Sequence, residues 1–333
     1  MKKIILFFLI ALVSEIGAQT QTSEISSRTG AFSRTGFGAR GMAMGNALSS
    51  VTEGSLVAYY NPALSVFQNG NSAQVGYTFL SFDRTLNFLS FTRKFELGVK
   101  VDENGVRSKP RSVAGLSAGI INSGVSNIDG RDNQGLSTGN ISTSENQFFI
   151  GVASRFSDYF SFGIEFKFYY FSLVDKVSAN GIGFDVGALI KPIDNLNISL
   201  VITDINSKYK WDTTPVYGQN GSNTTVEFPL LSKVGISYKF VKQKLLVAAE
   251  LQHSNAGTNY IRLGAEYNLY KNLNLRGGLD RFNLSNSDEP VRPSAGFSYS
   301  YKLNSFIVGI EYAFVVEPYS GSDKHIVGVN FNF

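Results

Sequence analysis

"FSFGIEFKFYYFSL", residues 160–173, puts Phe160, Phe162, Ile164, Phe166, Phe168 and Tyr170 in one row. Ser161, Gly163, Glu165, Lys167 and Tyr169 form the other. A period of two is a β-strand with two unlike faces. A soluble protein would bury the Phe row. A membrane barrel would show that row to lipid and enclose the Glu–Lys row. Periodicity fixes the strand but not the side that meets water.

The same pattern recurs along the chain. It begins with Val75, Tyr77 and Phe79, and less regular segments lie near 84–94 and 113–121. Phe148, Ile150 and Val152 continue it, as do Ile182–Ile190, Leu196–Ile202 and Val234–Phe240. Further segments fall at 245–253, 260–268, 273–282, 294–302, 306–314 and 324–333. The total is about 14, most near the roughly 9–11 residues of a tilted spanning strand. Links after even segments are mostly tight, at 157–159, 192–195, 241–244, 270–272 and 303–305. Links after odd ones include the long polar stretches 123–145, 205–227, 284–292 and 315–323. Link 95–111 breaks this rule, being long and charged where a tight turn is expected. Strand number, loop asymmetry and the alternating terminus "IVGVNFNF" together point the apolar rows at lipid. The terminus resembles the C-terminal strand signal of bacterial outer-membrane proteins. The expected fold is therefore all-β: a transmembrane antiparallel β-barrel of about 14 strands with an N-terminal hatch or plug segment.

Lys2 and Lys3 precede an apolar run from Ile4 to Val13, with a cleavage point expected after Ala18, the anatomy of a secretory signal peptide. Residues 1–18 read as that signal, 19–70 as the plug and 71–333 as the barrel, in the outer membrane with both termini periplasmic. There is no cysteine, which excludes disulfides, thiolate metal sites and Cys nucleophiles. The net charge of +4 is modest and mixed in sign, so no nucleic-acid partner is expected. Gly at 33 residues, Phe at 27 and Tyr at 16, with Pro at only 8, suit many aromatic-rich strands.

A barrel this wide leaves a lumen to be plugged or wet. Residues 36–67, "GFGARGMAMGNALSSVTEGSLVAYYNPALSVF", precede the first strand and lack its alternation. Gly38, Ala39 and Arg40, then Met44 and Gly45, then Tyr60, Asn61, Pro62 and Ala63 make this stretch resemble the N-terminal region of the FadL superfamily. It looks most like the PorV/PorQ branch associated with type IX secretion in Bacteroidota. That resemblance implies an internal hatch over 36–64 and a non-enzymatic accessory role in protein secretion or surface attachment of cargo. The alternative it implies is a transporter of long-chain fatty acids or other hydrophobic compounds, with a bent third strand opening a side exit. Gly115 and Gly119 in the third strand would permit such a bend. The implied partners are outer-membrane lipid, secretion components or cargo, or a hydrophobic small-molecule ligand; no cofactor is expected.

The residues also carry local readings. Asn61 is placed to cap a short helix with Pro62 at its first position. Gly41 and Gly45 permit close packing or positive φ. Arg40 in a lumen needs a carboxylate, and Glu165, Asp185, Glu250, Glu266 and Glu311 lie on inward rows. With them on lumen faces are Lys167, Lys233, Lys239, Arg262, Arg276, Asp280 and Lys302. Cross-strand ion pairing explains such a set more simply than a substrate track does. His253 and His325 match no catalytic or metal-ligand spacing. Trp211, the sole tryptophan, either contacts a partner from its loop or packs that loop onto the barrel.

Overall fold

A computed structural model describes residues 24–55, 58–100, 108–174 and 177–333. The expected signal peptide lies outside the described residues. A short helix α1 (Ala39–Ala43) and a 3-10 turn at Pro62–Phe67 precede the first strand. The strands then follow as β1 (Asn71–Phe79), β2 (Arg84–Leu97), β3 (Ser112–Arg131) and β4 (Ser137–Ser157). Next come β5 (Phe160–Val174), β6 (Val177–Ile193), β7 (Leu196–Ile205), β8 (Lys208–Asp212) and, after helix α2 (Thr214–Tyr217), β9 (Asn223–Glu227). β10 (Leu231–Phe240), β11 (Leu245–Ser254), β12 (Thr258–Tyr270) and β13 (Leu273–Asn283) continue the sheet. β14 (Arg292–Leu303), β15 (Phe306–Val315) and β16 (Lys324–Asn332) complete it.

β1 pairs with β16 from Ser72↔Asn332 to Phe79↔His325, and β5 pairs with β6, so the sheet closes on itself. Fourteen strands form the wall; β8 and β9 are a hairpin added at one end. Closure leaves the wall no free edge and satisfies its backbone groups between neighbours, which a lipid environment demands.

The opening question is answered at β5. Ile164, Phe166, Phe168 and Tyr170 are exposed, while Ser161, Glu165, Lys167 and Tyr169 are buried. An exposed Phe row over an enclosed Glu–Lys row is the reverse of a soluble fold. The row continues around the wall through Val75, Leu89, Ile150, Ile182, Leu200, Ile236, Leu263, Leu275, Phe297, Ile310 and Val327. An apolar exterior on a closed antiparallel barrel is a lipid-facing surface.

Two expected loops are strands. The link 123–145 is an extension of the β3–β4 ladder, with only residues 132–136 between the strands. Both faces there are solvated, so the ladder continues where the apolar alternation stops. The link 205–227 folds into the β8–β9 hairpin, whose first strand pairs with the upper end of β6 through Ala179↔Trp211. β6 is free to take it because β7 leaves the ladder in a bulge beside Asp204, where φ is +64°. Link 95–111 is shorter than the sequence suggests, since β2 runs to Leu97; residues 101–107 are not described.

Candidate functional site

Residues 30–55 and 58–68 are largely buried, and they contact the inward rows of the wall. What makes room for them is glycine. A Cβ at Gly163 would lie 2.6 Å from the Ala63 amide, and one at Gly278 would lie 2.2 Å from the Gly45 amide. At Gly264 it would meet the Met44 carbonyl at 2.4 Å, and at Gly187 the Asn61 Oδ1 at 2.0 Å. Real Cβ atoms do not approach other heavy atoms this closely, so the glycines form a seat cut to the shape of the segment.

The segment's own fold follows from its sequence. Asn61 Oδ1 accepts from the Ala63 amide at 2.9 Å, with Pro62 opening the 3-10 turn. Asn61 Nδ2 donates to Ser49 O at 2.8 Å, tying two stretches together. Gly45 has φ +59°, and Gly41 lies under the Tyr60 ring. The Tyr60 hydroxyl is 2.9 Å from Phe37 O and 2.8 Å from Asn46 Oδ1. Burial holds it well above the ordinary tyrosine range, so it remains a donor. Ala39 and Met44 are buried, and Gly38, φ +72°, precedes α1.

Of the five carboxylates weighed for Arg40, the structure selects Glu266, with bonds of 2.9 Å from both Nε and Nη2. Arg276 shares that carboxylate at 2.6 Å and reaches Glu311 at 3.5 Å. Arg262 binds Glu250 at 2.8 Å and Asp280 at 2.7 Å, and Asp280 accepts from Asn46 at 3.0 Å. Lys167 pairs with Asp185 at 2.6 Å and with Asp204 at 3.2 Å, and Tyr169 donates to Asp204 at 2.7 Å. Asp204 was not legible as a lumen residue, because only the bulge turns it inward. Among the described residues, Glu165 is buried with neither carboxylate oxygen meeting a donor. Lys233 lies 5.8 Å from the Tyr59 ring centroid. Lys239 is half-exposed and pairs with Glu53 at 2.5 Å, and Lys302 is exposed at a short turn, outside the enclosed set.

Beside these ion pairs stands an apolar column. Trp211 packs 5.1 Å from Phe171, so it covers its own barrel. Tyr209 follows, 5.1 Å from Phe228, which lies 4.6 Å from Tyr169. Phe37, Tyr59, Tyr60 and Phe88 belong to the same cluster, as do Leu86, Ile121 and Phe149. A vestibule of about 330 Å³ opens between Arg34, Arg262, Arg281 and Tyr260 on the long-loop side. A cavity of about 10 Å³ lies among Asn46, Tyr59, Tyr60 and Lys233.

No bulge interrupts the third strand at Gly115 or Gly119, and its irregularity lies further along, between Val125 and Ile128 on the β4 side. β2 and β3 pair without a register shift from Arg84↔Val125 to Leu97↔Ser112. Gly115 and Gly119 serve packing instead: the first receives Ser65 and Val66, the second the Phe149 ring. Outside, where Ala73 and Ala118 replace larger residues, a groove of about 390 Å³ lies against Ser90 and Gly119. His253 bonds Asn259 at 2.8 Å and His325 bonds Tyr312 at 2.7 Å. No metal-ligating group of three occurs among the described residues.

Several solved structures share this architecture. The CymD monoaromatic hydrocarbon channel matches at 15% identity and a TM-score of 0.61, covering 90% of this chain and 98% of that one. The Ralstonia pickettii toluene transporter TbuX matches at 14% identity and 0.57, covering 89% and 97%. A Pseudomonas aeruginosa FadL homologue matches at 10% identity and 0.52, covering 89% and 98%. Neither a family model nor a curated protein matches the chain.

Proposed function

We propose that this chain is a FadL-type outer-membrane channel for hydrophobic compounds, closed at rest by residues 36–64 acting as a hatch. The observation that carries this reading is the apolar column from Trp211 through Tyr209, Phe228 and Tyr169 to Phe149. A lumen otherwise filled by ion pairs has no structural need for a continuous greasy path. An apolar solute gains by leaving water for such a surface, at about 25 cal/mol per Å² buried. Phe149 stands over Gly119, opposite the exterior groove, so the column ends where the wall is thinnest in side chains. Passage requires the hatch to shift, since the cavity among Asn46, Tyr59, Tyr60 and Lys233 is only about 10 Å³. Uptake of radiolabelled toluene and oleate by cells lacking their own channel for such compounds tests the reading. Uptake is expected to rise with this protein and to fall in Tyr169→Ala; no rise for either compound contradicts it.

A second reading, a PorV/PorQ-type accessory in type IX secretion, is favoured by the unbroken β2–β3 ladder and the filled lumen. The compared structures lend it no support. Co-purification of secretion components or cargo with the barrel from native membranes separates it from transport.

A further inference from the structure

The β1–β2 turn carries a residue its backbone does not favour. Phe82 and Asp83 both occupy the left-handed region, at φ 62° and 54°, just past the Phe79↔Thr85 pair. Gly and Asn enter that region cheaply, whereas a bulky aromatic does not. Phe82 gains no burial in return, being 80% exposed. A strained and exposed ring points to a task for the ring itself.

Phe82 borders a cavity of about 270 Å³ on the long-loop side. Across it, on the β15–β16 loop, stands Tyr319, also exposed. The lining also holds three serines and the cations Arg84 and Lys324. Ser81 Oγ lies 2.8 Å from Ser322 Oγ and also bonds Ser320 Oγ. Glu317 adds a carboxylate whose Oε2 is held by Arg292 at 3.0 Å and Lys324 at 2.5 Å.

We propose that this cavity binds a saccharide. Ring faces at Phe82 and Tyr319 suit the C–H face of a pyranose, while the serine hydroxyls exchange hydrogen bonds with its hydroxyls and the Glu317 carboxylate accepts from them. Ser81, Ser320, Ser322, Arg84, Glu317 and Lys324 make most of the lining polar, which gives a hydrocarbon little apolar surface beyond the two rings and a sugar many hydrogen-bonding groups. The ligand's source is either lipopolysaccharide glycan beside the barrel or a free oligosaccharide.

Titration calorimetry on the detergent-solubilised full chain tests this, with deacylated lipopolysaccharide core oligosaccharide in one arm and maltoheptaose in the other. At least one is expected to bind, and Tyr319→Ala and Phe82→Gly to weaken it about tenfold or more. Phe82→Gly is expected to keep or raise the unfolding temperature, because glycine relieves the strained turn. Binding of the core oligosaccharide alone supports the proposal and identifies a membrane glycan; binding of maltoheptaose alone supports it and identifies a free one. Binding of neither, or wild-type affinity in both variants, overturns it.

Discussion

Arg40 and Glu266 lie 226 positions apart in sequence and meet through two parallel bonds of 2.9 Å, one from Nε and one from Nη2. This fork is a buried ion pair between the N-terminal segment and the wall, where Glu53–Lys239 is a half-exposed one, and Arg40 also donates to Glu53 O at 2.5 Å. Arg40→Ala would leave Glu266 with Arg276 alone inside the barrel. Breaking such a pair costs about 3–5 kcal/mol. Arg40→Lys keeps the charge but not the fork and is expected to recover only part of that loss. Urea unfolding in detergent measures both; equal stability of wild type and Arg40→Ala would refute the role.

Adjacent glycines provide a sharper contrast. A Cβ at Gly278 would strike the Gly45 amide at 2.2 Å, whereas at Gly277 the nearest atom is Ser294 O at 3.9 Å. Gly278→Ala is expected to cost about 1–3 kcal/mol or to unseat the segment. Gly277→Ala is expected to stay within about 0.5 kcal/mol. Heat-modifiability on gels reads the difference, and matching behaviour of the two variants would deny that the glycines form a seat.

The wall and its sidedness were legible because one physical signal, alternation across a pleat, repeats through Phe160–Tyr170 and its relatives. The capping of the turn by Asn61 was legible for a local reason, the Asn-Pro pair. What alternation could not carry was anything set by three-dimensional register. Asp204 enters the lumen only through a bulge, and Arg40 chose Glu266 among five carboxylates by position alone. The extended β3–β4 ladder was read as a loop because solvent on both faces erases the apolar pattern. Gly115 and Gly119 were read for bending, when their use depends on Ser65 and Phe149 arriving from elsewhere in the chain.

Glu165 is a carboxylate enclosed without a donor, so its removal should relieve the fold. Glu165→Met is expected to stabilise the barrel by about 1–3 kcal/mol, since a buried group lacking a partner carries its full desolvation cost. A large loss of stability in the same unfolding experiment would mean that Glu165 holds something in place.

Trp211 gives a direct view of the β8–β9 hairpin. Packed against Phe171 and Tyr209, at 5.1 and 6.0 Å, its emission is expected to be blue-shifted and partly shielded from acrylamide. Phe171→Ala should shift that emission to the red without unfolding the barrel. An unchanged spectrum would place the indole elsewhere.

Movement of the hatch during transport is the central claim, and one pair of serines makes it testable. Ser49 Oγ and Ser199 Oγ, on the segment and the wall, lie 2.9 Å apart, and the chain has no cysteine to interfere. In the double variant Ser49→Cys/Ser199→Cys, oxidation would lock the segment to β7. The measurement is uptake of radiolabelled hydrophobic compound by cells carrying this variant, oxidised and then reduced. Loss of uptake on oxidation with recovery on reduction is the expected result; equal uptake in both states would contradict the account.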